Sequence, residues 1–331
     1  MRAVLRIHFT GVDLVRTRLA SGPDPMWETV LSLQMLRAGY GGGAFGDWRR
    51  EARAAVRAAG QGRLLRDVLF PLTPDASYFP DFLTPPEGLL GLQAGVEALR
   101  ATPRRRLRAE VARVEVPERL APWARRLVAA DREVLADLGA GMAAYHRTVL
   151  APGWEGMAGH AEADLARRAR LQRTSGTEGL LSGFAPMMRW RRPVLEIPKQ
   201  VDRDLYLNGR GLVLIPSYFC WLNPIPLADP GLPPTLVYPL RPVPSEPGAR
   251  DVAASLRRLI GGTRARVLEA AADGVTTTEL ASRLGLSAAG ASAHARVLRE
   301  AGLVVSVRDA NAVIHTRTPL GDALLAGGAA G

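Results

Sequence analysis

The feature that most constrains this chain lies near its C-terminus, where the local signals between residues 276 and 318 specify helix, tight turn, helix and two strands in succession. Thr276-Thr277-Thr278-Glu279 has the Ser/Thr-x-x-Glu spacing of a capping box and opens a short helix whose buried side carries Leu280, Ala281 and Leu284. Gly285-Leu286-Ser287 then supplies a stop, a core anchor and a new cap within three residues. The next helix, residues 287–301, buries Ala291, Ala295 and Leu298 and presents Ala288, Ala289, Ser292, Ala293, Arg296 and Arg299 on its opposite face. Gly302 ends it. Two β-rich runs follow, residues 303–307 and 313–318, joined by Arg308-Asp309-Ala310-Asn311, and Pro319 starts a last turn with Leu320, Leu324 and Leu325. Upstream, Val252, Leu256, Leu259 and Ile260 make one helical stripe, and a second helix runs from Thr263 through Val267, Leu268 and Ala271 to Gly274. Two helices across so short a turn are a helix-turn-helix signature, and the strand pair after them is a wing.

Small residues at the start of the second helix let its first turns approach base edges and phosphates in the major groove. The expected contacts with double-stranded DNA are Thr277, Ser287, Ala288, Ala289, Ser292, Ala293, His294, Arg296, Arg299 and Arg308. His294 fits either a phosphate donor or a packed, half-buried side chain. Overall charge does not locate this face. The net charge is +11, but from Arg250 onward ten Arg oppose seven Asp and Glu, so +8 remains on the longer preceding segment. Lys199 is the sole lysine, and the preference for Arg, Ala and Gly looks like genomic bias.

Residues 276–304 resemble the winged helix-turn-helix of ArsR-like bacterial repressors. The resemblance is carried by Glu279-Leu280-Ala281-x-x-Leu284-Gly285-Leu286-Ser287, by Ser292-x-His294, and by Val297-Leu298-Arg299-Glu300-Ala301-Gly302-Leu303-Val304. It implies a homodimer on a pseudo-palindromic operator. Metal-sensing members place cysteines in the helix that begins here near Thr277; this chain has only Cys220, so metal sensing does not carry over. The wing tip has Asp309-Ala310-Asn311 where relatives have Arg and Gly, and His315 and Arg317 stand at positions more usually aromatic and apolar. The preceding region resembles an uncharacterised domain paired with such modules in actinobacterial regulators, through residues 208–217 and Tyr238-Pro239. That resemblance implies a sensory or dimerising role.

The expected fold class is α+β, mainly helical: an N-terminal domain over residues 1–245 with a small antiparallel sheet, then a winged helix-turn-helix domain over residues 250–331. Pro239, Pro242, Pro244 and Pro247 mark the linker. In the first domain we expect a strand at residues 4–9, a helix at 11–19 capped by Thr10, an amphipathic helix over 27–38 ended by Gly41-Gly42-Gly43, and a helix over 48–59. Residues 70–86, with five prolines, read as an aromatic-anchored loop. Further helices are expected at 89–100, 103–114, 120–138, 141–149, 159–171 and 178–184. Short β runs then cover 194–197, 204–207, 211–215 and 235–238, with Asn208-Gly209 as a hairpin turn.

Trp190, Tyr218, Phe219 and Trp221, near Phe184, Met187 and Met188, line a candidate apolar ligand pocket or fill a core. His160 and Asp164 at i, i+4, with His146 upstream, are the minimum for a metal site, but spacing specifies no third ligand, so no metal or other cofactor is expected. Arg104-Arg105-Arg106-Leu107-Arg108 reads as a solvated charged face. No catalytic residue is expected: residues 41–46 lack a phosphate-loop Lys, and Gly-x-Ser-x-Gly and His-Glu-x-x-His are absent. Without an uncharged apolar run of about 18 residues, no membrane association is expected, and a single cysteine suits a reducing cytoplasm. The expectation is a cytoplasmic, homodimeric, sequence-specific transcription regulator, a repressor, with a small-molecule effector and no enzymatic activity. A scaffold whose winged helix binds protein is the alternative, and an enzyme with an appended DNA-binding domain is a third class.

Overall fold

The structure, a computed structural model, describes residues 4–37, 42–74, 78–198, 202–221, 223–227, 229, 231–240, 259–272, 274–309 and 312–325. Its contacts divide the chain into two compact units, Met1–Pro242 and Val243–Gly331. The expected linker beyond Leu240 and the stripe residues Val252 and Leu256 lie outside the described residues, as does the wing tip at 310–311.

In the first unit β1 (Val4–His8) buries Leu5 and Ile7 and turns Arg6 and His8 outward, as strand alternation requires. Thr10 closes a capping box with Asp13 and starts α1 (Gly11–Arg16). The helix stops three residues short of expectation, because β2 (Arg18–Leu19) peels off to pair with a later strand. α2 (Pro25–Arg37) was expected to be amphipathic, yet Pro25 through Leu36 are buried all round. Its polar side chains are satisfied internally: the Thr29 hydroxyl donates to the Pro25 carbonyl at 2.6 Å and Ser32 to the Thr29 carbonyl at 2.8 Å. α3 (Gly42–Ala58) takes up Gly42 and Gly43, which were expected to break the chain.

Helical turns at Gly62–Leu64, a π turn at Leu65–Leu69 and Phe70–Leu72 follow, so the expected loop begins as helix. Then come α4 (Leu92–Arg100), α5 (Arg104–Val111), α6 (Ala121–Val128) and α7 (Arg132–Tyr145). The single helix expected over 120–138 is two, because Ala130 adopts φ 60° and the Asp131 carboxylate accepts the Glu133 and Val134 amides to begin α7. The two helices expected over 159–184 are present: α8 (Trp154–Ser182) is two helical stretches that meet at Gly176, whose φ 66° and ψ −173° are not helical.

The strands correct the expectation of one small antiparallel sheet. β3 (Arg189–Arg191), β4 (Val194–Pro198) and β5 (Arg203–Tyr206) join β1 in the order β3-β4-β1-β5, with β1 antiparallel to β4 and parallel to β5. β6 (Val213–Ser217), β7 (Ile225–Pro226) and β8 (Thr235–Pro239) join β2 in a second mixed sheet, β2-β6-β8-β7, with β6 parallel to β2 and β8. All five residues of β6 are buried. Val213, Ile215 and Val237 face one core, while Leu214, Leu236 and Tyr238 face the other. A continuous apolar run is the mark of a strand covered on both faces, usually in parallel pairing. Asn208-Gly209 does form its turn, with φ 55° and 79°, but β5 and β6 lie in different sheets and make no hairpin. Gly211, at φ 73°, redirects the chain toward α1, where a Cβ would stand 2.6 Å from the Arg16 carbonyl carbon.

Two buried carboxyls and one buried ion pair organise this unit. Asp24 Oδ1 accepts the Met26 and Trp27 amides to cap α2, and Glu28 accepts the Tyr218 and Phe219 amides at 2.8 and 3.1 Å. Burial pushes both carboxyls up to about 7. The folded chain therefore holds extra protons between about pH 4 and 7; the associated stability is full below about pH 4 and lost as pH rises through 7. Asp24→Asn keeps the capping oxygen and removes one titration. It is expected to flatten the decline of thermal stability between about pH 5 and 7, where each pH unit contributes about 1.4 kcal/mol per titrating group; a melting profile with the wild-type slope would contradict this. The ion pair is Arg168 to Asp164, Nε to Oδ2 at 2.6 Å, with both side chains under 10% exposed. The Tyr238 hydroxyl donates to the same carboxylate at 3.0 Å, and the guanidinium lies 3.6 Å above the Phe184 ring.

The second unit contains α9 (Gly262–Ala270), β9 (Val275–Thr276), α10 (Thr277–Leu284), α11 (Ala288–Glu300), β10 (Val304–Asp309), β11 (Ala312–Arg317) and α12 (Pro319–Leu325). Its core joins Val267, Leu268, Leu280, Ala291, Leu298 and Val304. Leu259, expected on a buried stripe, is 77% exposed, whereas Ile260 packs on the core. β10 and β11 pair antiparallel, and β11 also pairs with β9.

Candidate nucleic-acid interface

α10 begins where the Thr276 hydroxyl accepts the Glu279 amide at 3.2 Å and the Glu279 carboxylate accepts the Thr276 amide at 2.9 Å. Gly285 ends it at φ 66°, a left-handed conformation that glycine adopts without steric cost. The Leu286 amide returns to the Ala281 carbonyl at 2.9 Å, and Ser287 caps α11 by accepting the Gly290 amide at 3.0 Å. These contacts fix the turn between the two helices from residues within it. Ala291, Ala295 and Leu298 then seat α11 on the core, at 1% exposure or less.

This seating determines what α11 offers outward. Ser287, Ala288, Ala289, Ser292, Ala293, Arg296 and Arg299 are exposed on one continuous face, with His294 half-buried beside them. Arg308 is exposed on β10. The guanidiniums of Arg296, Arg299 and Arg308 form no ion pair among the described residues. The face is thus small at its N-terminal end and carries guanidiniums further along.

Thr277 is placed differently. Its hydroxyl is 2.9 Å from His315 Nε2, and His315 Nδ1 is 2.8 Å from the Ser306 hydroxyl. His315 is 5% exposed, so the departure from an aromatic residue here is met by two polar partners rather than by solvent. This bridge from wing to α10 had no local signal, because strand register alone sets Ser306 opposite His315. Arg317, the other departure, donates Nε to Asp322 at 2.5 Å. Burial, aided by the Arg299 charge, lowers the His315 pKa, so the unfolded chain binds its proton first as pH falls below about 6.5. The stability held by the neutral imidazole is present above that value and lost on acidification. His315→Ala leaves two hydroxyls without their partner and is expected to cost about 1–3 kcal/mol at neutral pH. It should also lessen the acid sensitivity, both effects being read by urea unfolding at about pH 5.5 and 7.5; unchanged stability would contradict the bridge.

The remaining candidate sites separate. Phe219 packs on Trp48 with centroids 4.5 Å apart, and Tyr218 and Trp221 meet Phe45 edge-on at 5.8 and 5.3 Å. Trp190 is in the other core, edge-on to Phe9 at 5.3 Å and donating to Glu178, so the four aromatics do not converge on one pocket. Asp164 is engaged by Arg168 and Tyr238 and is not available beside His160 as a metal ligand. His146 is buried on a π turn, its pKa lowered to about 4 by burial and by Arg147. Among the described residues no group of three or more His, Cys, Asp or Glu is placed to hold a metal.

A short helix, a left-handed glycine turn, a seated second helix and a two-stranded wing define a winged helix-turn-helix, a module with which transcription regulators bind DNA. A family model described as a helix-turn-helix domain matches residues 259–307, from the approach to α9 into β10. The chain carries a helix-turn-helix domain at its C-terminal end. Comparison with curated proteins and with solved structures found no match. Among the described residues no helix is long and apolar enough to cross a membrane.

Proposed function

We propose that the chain is a sequence-specific DNA-binding transcription regulator of ArsR-like type, acting as a cytoplasmic, homodimeric repressor. α11 enters the major groove; Ala288, Ala289, Ser292 and Ala293 approach base edges, and Arg296 and Arg299 contact phosphates or bases. Ser287, Thr277 and His294 position the helix on the backbone, and Arg308 reaches the flanking phosphates from the wing. The observation that carries this reading is the continuous exposed face of α11, small at one end and bearing at the other guanidiniums that form no ion pair among the described residues. The first unit senses a small-molecule effector or organises the dimer, and no enzymatic activity is assigned to it. Exposed Val305 and Val307 on the wing, at 48% and 59%, favour a second reading in which the winged helix docks on a protein.

A footprint on the DNA upstream of the chain's own coding sequence tests the first reading. Two protected half-sites about 10 base pairs apart, or a multiple of that, would support it when sedimentation also shows a dimer. Absence of any protected site would overturn it.

A further inference from the structure

Beside the C-terminal end of α2, a cleft of about 370 Å³ opens between α2, α3 and the helical turns after α3. Its walls are apolar, formed by Leu36, Val56, Leu65 and Phe70, and three guanidiniums, Arg37, Arg53 and Arg57, stand around them. Two of these are fixed by backbone oxygens: Arg37 donates to the Phe70 carbonyl at 2.9 Å and Arg53 to the Leu36 carbonyl at 3.0 Å. Arg57 is exposed and has no hydrogen bond or ion pair from its side chain among the described residues. Among the described residues none of the three forms an ion pair with a carboxylate. Asp67 on the π turn pairs with Arg119 at 2.7 Å, and Asp47 on α3 pairs with Arg50. Leu65, which lines the cleft, opens the π turn Leu65–Leu69, a backbone irregularity that recurs at functional sites.

We infer that this cleft binds a small amphipathic carboxylate, with its apolar body on the four hydrophobic side chains and its anionic head against Arg57 and the outer edges of Arg37 and Arg53. The size suits a small ligand, and an apolar chamber with a few fixed polar groups is the usual form of such sites. Guanidinium matches carboxylate geometry in two parallel hydrogen bonds, which favours this head group over an alcohol. The effector role of the ligand rests on the regulator reading, whereas binding rests on the cleft alone.

The test uses the full chain, with octanoate and 2-naphthoate titrated by calorimetry against octanol and 2-naphthol. At least one carboxylate is expected to bind about ten-fold or more tightly than its alcohol, a difference of about 1.4 kcal/mol. Arg57→Gln should remove most of that preference. Gly62 lines the cleft and a Cβ there would meet nothing within 4 Å, so Gly62→Leu adds an apolar side chain at the rim and is expected to weaken binding while the melting temperature holds. The inference is overturned if neither carboxylate binds, if alcohols bind as well, or if both variants bind like wild type. DNA affinity measured on the same samples separates the readings: carboxylate binding without any DNA binding sustains the cleft and overturns the regulator.

Discussion

Asp164→Ala is expected to destabilise the first unit by about 3–5 kcal/mol, the cost of leaving a buried partner charge uncompensated. Arg168 cannot turn to solvent, since its side chain is 6% exposed and its guanidinium is held over Phe184 at 3.6 Å and Tyr238 at 4.7 Å. Loss of the carboxylate also strips the Tyr238 hydroxyl of its acceptor. Burial alone would raise the Asp164 pKa, but hydrogen bonds and charge from Arg168, Arg167 and Tyr238 hold it below the ordinary value. Stability from this pair is therefore present above about pH 4 and lost as pH falls below it. In a unit of this size the expected drop in melting temperature is about 10 °C. Asp164→Leu with Arg168→Met removes both charges and should recover most of the loss. A single substitution without effect, or a double one as damaging as the single, would contradict the assignment of a buried pair.

The Arg296→Ala, Arg299→Ala double substitution is expected to lower affinity for the operator by about 30-fold to 10⁴-fold, at about 1–3 kcal/mol for each guanidinium contact. Both side chains are exposed and form no ion pair among the described residues, so the melting temperature should not move. The salt dependence distinguishes their roles. If both contact phosphates, the slope of log K against log salt falls by about 2, since each neutralised phosphate contributes about 0.9. If they read bases, the slope holds while discrimination between operator and mismatched sites narrows. An affinity within about two-fold of wild type would mean that this face of α11 does not meet DNA.

The helix-turn-helix was legible because its determinants are local. The Thr276 cap, the left-handed Gly285 and the Ser287 cap each act within three residues, so spacing alone predicts them. The exposed face of α11 followed from the same periodicity. His315 was legible only as a departure, because the partners that explain it come from β10 and from the start of α10, far apart in sequence. The first unit was legible in composition and in many helices, but its two sheets were not. Asn208-Gly209 specifies a turn, and a turn does not choose the sheet in which the next strand lands. That choice is made by Asp13 accepting the Gly211 amide and by Thr17 accepting the Leu212 amide, contacts spanning almost 200 residues. α2 misled for a related reason: its spacing predicted an amphipathic helix, but Glu28 is buried against the Tyr218 and Phe219 amides, partners about 190 residues away.

The central claim is that the winged helix reads a DNA sequence, and fluorescence anisotropy of the full chain tests it most directly. A labelled fragment from upstream of its own coding sequence is titrated across a salt series, with random DNA as competitor. The account predicts affinity for one site about 10³-fold or more above that for random DNA at physiological salt, with binding that weakens steeply as salt rises. Equal affinity for the two DNAs, or no binding to either, would contradict it.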